Sequence, residues 1–541
     1  MLDCLIVLWL FYIFPHFLST DQSRDSAMKP LFVKAFSLIQ ALFIIPICLS
    51  LFLHGKANAQ RLHASDLIYR GAFSFPTGDP WAYGGHALAF FPEGDPSGSN
   101  DGYPGSLYTA GHAVQGLVGE IAIPTPITTT DYNTLSKGNV LQPLADITGG
   151  WKDNCTYHAD CIYRELSGLA FLPNVSRIVW NLRDWYNVAA YDQDSLGWSH
   201  TDLTHGQGVW HVGERNNPLF HNARTCNYLF KAPEDFASEF LGGKWLMAGN
   251  HREGGALGGS QGPTLYALAP WEDGNPPASG QNLNATPLLY YPEIYDCVWT
   301  DSSVCHFPGY RAKDNWVGGA WVQTAAKSAV LIFGVKGLGN SCYGTQAECG
   351  GDPCDMYKGY HAYPYAAQII FYDPEELKQV VAGTRDPWTV LSYETMDLTG
   401  YMLDGGCPEL GAVAFDRDNG LIYFTEQTAG SSDETVVHVW QVAASEAPMV
   451  LYVSRTDPAC GGNSPCYGTI QAALVAATTG AHIRISEGNY NETPLLDQSR
   501  ILTLSGSWNA AFSTQTSNLT RIRSLRVTMG TLHVREMCIG P

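Results

Sequence analysis

Three glutamates and one asparagine stand at the same place in four similar segments of the chain. Each lies five positions before the residue at the centre of a segment rich in Gly and Ala; they are Glu165, Glu239, Asn315 and Glu409. Carboxylates that converge favour a cation or a polyhydroxylated ligand, because they supply negative charge and hydrogen-bond acceptors. The alternative is that each glutamate caps backbone groups or faces water.

A second, mixed set of ligand-binding candidates follows the next strand-like stretch of the same segments. It contains His112, Arg183, Trp271 and Lys336. The sequence contains no phosphate-binding loop and no H-E-x-x-H motif. No catalytic residue can therefore be assigned from motifs.

One loop carries oxygen ligands at alternate positions, as a calcium site does. These are Asp95, Ser97, Ser99 and Asp101. The loop lacks the bidentate Glu that completes a calcium-binding loop at the expected spacing. Calcium is the one cofactor that the sequence suggests, and the alternative is a solvated loop.

Cysteines are grouped at short spacings, which in an exported chain indicates local disulfides. We predict the pairs Cys155–Cys161, Cys297–Cys305 and Cys460–Cys466. A zinc site with His361 is the alternative for the group that starts at Cys342. The spacing leaves open the partners of Cys226, Cys342, Cys349, Cys354, Cys407 and Cys538.

The first 59 residues read as a leader with its start at Met28. A basic start and an apolar middle lead to Ala57 and Ala59, the pattern of a signal-peptidase site. We expect a secreted or cell-surface protein, extracellular or periplasmic, with a membrane anchor as the alternative. After Gln60 no run is long and apolar enough to span a bilayer.

Charge and composition restrict the partners. The formal net charge of −20 repels nucleic acid and anionic membranes, and no basic patch compensates. Gly, Pro, Trp and Tyr are abundant and charged residues are few, which favours a turn-rich all-β protein. We expect a glycan or an extracellular protein as the partner.

Five hairpin-like segments recur along residues 64–445. They centre on Ala89, Ala170, Lys244, Ala320 and Ala414, at steps of 74 to 94 residues. Repeated strand units of this length indicate a radial β architecture, since stacked units bury the faces that one unit exposes. The chain resembles a five-bladed β-propeller, to which we assign residues 60–445. Small residues suit innermost strands that converge on an axis.

The two ends of this region are expected to pair with each other. Residues 67–75 form a strand with no hairpin partner beside it, whereas the fifth unit lacks a fourth strand after residues 436–442. Placing the first strand outside the last one solves both problems and closes the ring.

Residues 446–541 change character. A helix-like TIQAALVAA stretch starts at Thr469, and IRISEGNYNE starts at Ile483. This order resembles the opening of a right-handed parallel β-helix of the pectin-lyase-like class. Only two or three rungs fit before Pro541, so we expect a longer gene. Asp497 is the only Asp after Asp457, and a structural coil is therefore expected rather than a lyase site.

Two functions remain as hypotheses. The first is an exported, non-catalytic recognition or surface protein that binds a glycan or a protein through propeller loops. The second is an extracellular carbohydrate-active enzyme, a glycosidase or polysaccharide lyase, with an acidic site at the propeller axis. The second requires the carboxyl groups of Glu165, Glu239 and Glu409 to line one pocket.

We predict that a secreting host removes everything before Gln60. Ala57 and Ala59 form the Ala-x-Ala motif that precedes a signal-peptidase cleavage site. N-terminal sequencing of exported protein should begin at Gln60. Exported material that begins upstream of Met28 would contradict this.

Overall fold

The computed structural model describes most of the chain beyond residue 59. The described residues are 60–95, 98, 102–155, 161, 163–184, 192–249, 259–271, 274–301, 303–324, 326–429, 433–443, 449–478 and 481–540. Two compact units separate at Val450, one ending with Met449 and the other containing Val450–Pro541. No described helix is long and apolar enough to cross a membrane.

The first unit consists almost entirely of short strands. In chain order they are β1 (Gln60–Arg61), β2 (Leu67–Ser74), β3 (Leu88–Phe91), β4 (Ser106–Ala110), β5 (Val118–Ala122), β6 (Val140–Ala145), β7 (Arg164–Leu172), β8 (Arg177–Asp184), β9 (Leu196–His200), β10 (Gln207–Val212), β11 (Leu229–Lys231), β12 (Leu246–Ala248), β13 (Leu265–Leu268), β14 (Asn282–Leu283), β15 (Ala285–Leu289), β16 (Asn315–Gln323), β17 (Lys327–Gly337), β18 (Cys342–Gly344), β19 (Gly359–His361), β20 (Tyr365–Tyr372), β21 (Glu394–Asp397), β22 (Leu410–Asp416), β23 (Leu421–Glu426) and β24 (Val436–Val442). Among the described residues of this unit, three α-helices interrupt the strands: α1 (Asn222–Thr225), α2 (Glu234–Phe240) and α3 (Pro374–Val381).

These strands form a five-bladed β-propeller-like arrangement, as the repeats predict. The blades are β3–β6, β7–β10, then β11–β13 with β15, then β16, β17, β20 and β21, and finally β22–β24 with β2. Two short strands add to blades in parallel, β14 beside β10 and β1 beside β17, and β18 pairs only with β19. The innermost strands β3, β7, β11, β16 and β22 each pack against two others and so form a ring.

Glycines on the innermost strands allow neighbouring blades to approach closely. A Cβ on Gly168 would lie 2.1 Å from the carbonyl oxygen of Asn227 in the third blade, and one on Gly411 would lie 2.2 Å from the carbonyl oxygen of Gly85. The strand register shifts at these positions in the second and fifth blades, and at Gly318 in the fourth. The small residues are therefore required by blade-to-blade contact as well as by the axis.

The predicted ring closure is confirmed. Strand β2 runs antiparallel to β24, with Leu67 opposite Val442 and Ser74 opposite Val436. The Tyr69 hydroxyl lies 3.0 Å from Nδ1 of His438, so the first strand also joins the blade through side chains. Because β2 comes from the N-terminal end and β22–β24 from the C-terminal end, this sheet ties both ends of the propeller together.

The third blade differs from the prediction. Glu239 and Lys244 do not lie on an innermost strand, because residues 234–240 form helix α2 and the innermost strand is β11. Gly242 and Gly243 have φ angles of 60° and 84° and end the helix, as glycines commonly do. In the sequence this Gly-Gly pair resembles the glycines of an innermost strand, which is why residues 239–245 were wrongly predicted to form one.

Five disulfides join cysteines of the described chain. The three predicted pairs form, together with Cys342–Cys349 and Cys354–Cys407. The zinc alternative is wrong, since these cysteines are oxidised and His361 hydrogen-bonds to Asp352. Cys226 is a buried free thiol whose pKa burial raises to about 11. The Cys538 sulfur accepts a hydrogen bond from Arg521.

The second unit is built from parallel strands. They are β25 (Val450–Val453), β26 (Cys466–Tyr467), β27 (His482–Ser486), β28 (Gly488–Tyr490), β29 (Leu495–Trp508), β30 (Thr520–Ile522), β31 (Arg526–Arg535) and β32 (Met537–Ile539), with helix α4 (Ile470–Ala476). One sheet has the order β26, β25, β27, β29, β31, and the other β28, β30, β32. Helix α4 starts as the sequence suggests, with the Thr469 side chain accepting from the Ala472 amide.

We expect loss of the closing strand to destabilise the whole propeller. Deletion of residues 60–76 should abolish its cooperative unfolding transition, although only a terminal segment is removed. A truncated protein that stays monomeric and melts like the parent would contradict the closure.

A matched pair of substitutions separates packing from simple exposure on β2. Phe73 is fully buried, whereas Ile68 is 40% exposed on the same strand. Phe73→Ala should lower the free energy of unfolding by about 3–5 kcal/mol, and Ile68→Ala should lower it by less than ~1 kcal/mol. Denaturant titrations of the three proteins measure this difference.

Candidate functional site

Most of the predicted ligand-binding residues gather where the innermost strands begin. We call this side of the propeller the upper face, and the opposite side, where those strands end, the lower face. Glu165 is the second residue of β7, Asn315 is the first residue of β16, and Glu409 immediately precedes β22. Glu239 does not belong to this group, because helix α2 follows the end of β11.

Glu165 is a buried, ion-paired carboxylate. Its partner is Arg183 on the neighbouring strand β8, whose guanidinium contacts Oε2, and the Tyr163 hydroxyl donates to Oε1 at 3.3 Å. Burial raises the pKa of Glu165, but the charges of Arg183 and His86 and the two hydrogen bonds outweigh it and hold that pKa below its ordinary value. The carboxylate therefore stays ionised and is a poor general acid.

His86 joins this group and was not found in the sequence. Its Nε2 donates to the carbonyl oxygen of Tyr83 at 3.1 Å. Burial is the main cause that lowers the pKa of His86; Arg183 adds to the lowering, and Glu165 and Glu409 oppose it. The sequence did hold a signal for this position, because His86 directly follows the glycine pair that precedes the innermost strand β3.

Glu409 is more accessible, whereas the Oδ1 atom of Asn315 is buried. Glu409 is exposed and accepts a hydrogen bond from the Thr428 hydroxyl at 3.1 Å. Asn315 is half-buried, and its Oδ1 has no hydrogen-bond partner among the residues that the structure describes. Glu409 and Asn315 thus supply acceptors and Arg183 supplies donors at the end of the propeller where the innermost strands begin, a combination suited to hydroxyl groups.

The other predicted residues have separate environments. Lys336 is held by Asp314, whose two oxygens lie 2.8 and 2.9 Å from its Nζ, so its role is structural. His112 packs edge-on against Tyr83 on the upper face, with ring centroids 5.4 Å apart. Trp271 follows the third strand of its blade rather than the second, and packs on Trp198.

Four aromatic side chains, three exposed and one half-buried, form a continuous chain on the upper face. We call Tyr295, Trp299, Tyr360 and Tyr343 the aromatic arc. Successive ring centroids lie 6.3, 6.1 and 5.0 Å apart. Tyr343 is 55% exposed, and the Nζ of Lys358 lies 5.8 Å from the centre of its ring. The arc is formed by two connections on the upper face. One follows β15, and the other joins β17 to β20.

Covalent and buried polar contacts fix these connections. The disulfides Cys297–Cys305, Cys342–Cys349 and Cys354–Cys407 lie within or beside them. Below the arc, buried Asp352 accepts from His361 at 2.9 Å and from the Tyr365 hydroxyl. A loop held in this way presents its aromatic rings with little loss of conformational entropy on binding.

Only part of the loop predicted to bind calcium lies among the described residues. Asp95 lies in the described part of the chain, but Ser97, Ser99 and Asp101 lie outside it. Across the described residues, no group of three or more His, Cys, Asp or Glu side chains is arranged to hold a metal ion.

Comparison with known proteins identifies only remote similarity. The sequence matches no protein-family model and no curated protein. A luciferin-regenerating enzyme aligns over 65% of this chain and 77% of its own at 10% identity, with a TM-score of 0.29. The parainfluenza virus 5 hemagglutinin-neuraminidase ectodomain aligns over 81% and 99% at 9% identity, with a TM-score of 0.28. A Chaetomium thermophilum Polycomb Repressive Complex 2 chain aligns over 69% and 98% at 9% identity, with a TM-score of 0.25. At these values none of them informs the function of this chain.

We predict that Arg183 is needed to keep Glu165 buried as an ion. Arg183→Met should lower the free energy of unfolding by about 3–5 kcal/mol, because it strands a buried carboxylate. The double variant Arg183→Met with Glu165→Gln should regain most of that loss. Equal instability of the single and double variants in urea titrations would contradict the ion-pair account.

Proposed function

We propose that this protein is an exported, non-catalytic recognition protein that binds a glycan through the upper-face loops of its propeller. The observation that carries the proposal is the aromatic arc, a row of mostly exposed rings in connections held by disulfides on the upper face. Monomeric proteins rarely expose contiguous apolar surface without a binding role.

Glycans fit this surface better than other macromolecules do. The C–H face of a pyranose packs on an aromatic ring, and tyrosine and tryptophan add a polar group at the ring edge. The hydroxyls of the same sugar need both donors and acceptors, which Arg183, Asn315 and Glu409 supply. Nucleic acid is disfavoured by the net charge of −20.

The enzyme alternative receives less support. It rests on three converging carboxylates, yet Glu239 lies on helix α2 and Glu165 is neutralised by Arg183. Glu409 alone cannot supply the acid and base pair that glycoside cleavage by two carboxylates requires. A binding role asks only for hydrogen bonds and ring stacking, which the upper face offers.

Export and the domain plan are parts of the same proposal. Five disulfides in one chain favour an oxidising compartment, in agreement with a leader over residues 1–59. We assign residues 60–445 to the recognition propeller. We infer that residues 446–541 begin a right-handed parallel β-helix that acts as a stalk or continuation, since its strands pair in parallel.

Glycan binding is tested directly on an array, with a parallel assay for released reducing ends. We expect retention of at least one glycan class without release. Trp299→Ala and Tyr343→Ala should each weaken binding about tenfold or more, as loss of a stacking anchor does. Leu141→Ala is the control, because Leu141 is exposed on β6, away from the arc.

Three results would overturn the proposal. Unchanged affinity of both aromatic variants would remove the arc from the binding site. Release of reducing ends from a retained glycan would favour the enzyme alternative, and an array without any bound glycan would contradict glycan recognition itself.

A further inference from the structure

At one end of the aromatic arc, exposed rings and carboxylates occur together. A short 3-10 helix, Tyr295–Val298, begins with one ring of the arc, and Trp299 directly follows it. Tyr295 and Trp299 are 67% and 38% exposed, and their ring centroids lie 6.3 Å apart at an interplanar angle of 69°. We call the following residues the acidic end of the arc: Glu293, Tyr295, Asp296, Trp299 and Asp301.

Asp296 lies on the same side of this helix as Trp299. The amide of Trp299 donates to the carbonyl oxygen of Asp296 at 3.1 Å, so the two residues are one 3-10 turn apart. Side chains three positions apart in a 3-10 helix eclipse each other, which places the carboxylate beside the indole ring. Asp296 is exposed, and no cation of the described chain lies within ion-pair distance of it.

The acidic end carries more negative than positive charge. Glu293 and Asp301 are exposed and flank the two rings in the sequence. The Lys and Arg side chains of the same connection are engaged by other groups, because Arg311 donates to two backbone carbonyl oxygens and Lys313 pairs with Asp355 at 3.0 Å. Such a surface attracts a cation and repels an anion.

The opposite end of the arc holds an ammonium group of the protein itself. The Nζ of Lys358 lies 5.8 Å from the centre of the Tyr343 ring, a distance at which a cation is attracted to an aromatic face. Among the residues that the structure describes, no Lys or Arg side chain lies over Tyr295 or Trp299. These two rings are therefore open to an ammonium group that a ligand supplies.

We propose that the aromatic arc selects glycans with free amino groups, that is, cationic oligomers of an amino sugar. This selectivity presupposes the glycan recognition proposed above and names the class of glycan. One ammonium group binds between the Trp299 ring and the Asp296 carboxylate, through a cation–π contact and a charge-assisted hydrogen bond. The pyranose rings pack on the other rings of the arc, and glycans that carry carboxylates are repelled.

A lysine-rich peptide shares the charge of such a glycan but fits the arc less well. Its long side chains lose more conformational entropy when they are fixed on a row of rings than a chain of rigid sugar rings loses. The peptide is therefore the competing ligand in the test.

Calorimetric titration of the exported protein tests the selectivity with matched ligands. The probes are a linear oligomer of glucosamine, the same oligomer fully N-acetylated, a galacturonate oligomer of equal length, and an oligolysine of equal charge. We expect the glucosamine oligomer to bind about tenfold or more tightly than the N-acetylated form, because acetylation removes the ammonium contacts. Galacturonate should not bind, and oligolysine should bind more weakly than the glucosamine oligomer.

Asp296→Asn removes the charge of the side chain and keeps its shape. It should remove most of the preference for the glucosamine oligomer and leave the affinity for the N-acetylated oligomer unchanged. Glu93→Gln is the matched control, because Glu93 is exposed after β3 on the lower face and should not affect the preference. Melting curves check that each variant is folded, and an unfolded Asp296→Asn leaves the ligand series to decide.

The possible results distinguish this selectivity from glycan recognition as such. Equal affinity for the glucosamine and N-acetylated oligomers would overturn the selectivity and leave glycan recognition intact. Tighter binding of galacturonate, oligolysine binding as tightly as the glucosamine oligomer, or an unchanged preference in folded Asp296→Asn would also overturn it. Binding of none of the probes would overturn it as well, and the glycan array then decides whether the arc recognises glycans at all.

Discussion

The pairing of β2 with β24 is the contact on which the rest of the propeller depends. Each blade packs only on its two neighbours, so a ring stays closed only if its first and last elements are joined. Tyr69 of β2 contacts His438, and the Nε2 of His438 lies 2.8 Å from Glu426, all within the fifth blade. Glu426 also accepts from the amides of Leu403 and Asp404, so the segment that contains Cys407 is tied to the same closure.

This closure gives the two faces different properties. On the upper face, long connections stabilised by disulfides carry the aromatic arc around a mouth in which Glu165 and Arg183 are already paired. On the lower face, short turns follow β7, β16 and β22, whereas longer connections follow β3 and β11. The alanines of the innermost strands are buried in the contacts between blades, so close packing of the blades accounts for their small size.

The sequence predicted the architecture well because it is repeated. Hairpin spacing identified the blades and the missing fourth strand identified the closure, both consequences of backbone pairing. It failed at the third blade, where the Gly242–Gly243 pair that ends a helix looks like the glycines of an innermost strand. Three disulfides followed from short loops, but Cys354–Cys407 spans 53 residues and depends on the folded blades.

Site residues were predicted less well, for a physical reason. Glu165, Asn315 and Glu409 were found because they occupy repeated positions, and Arg183 because its strand end was recognisable. His86 and the aromatic arc come together with their neighbours only through contacts between blades or between long insertions. No spacing along the chain encodes such contacts, so they could not be derived from one sequence.

Native-state hydrogen exchange of the β2 amides tests most directly whether the propeller is one cooperatively closed ring. The account predicts that the amides of β2 that bond to β24 exchange only through global unfolding, with the same opening free energy as those of β23. Exchange of β2 at a much lower free energy, while β23 stays protected, would show that the strand frays independently and would contradict the account.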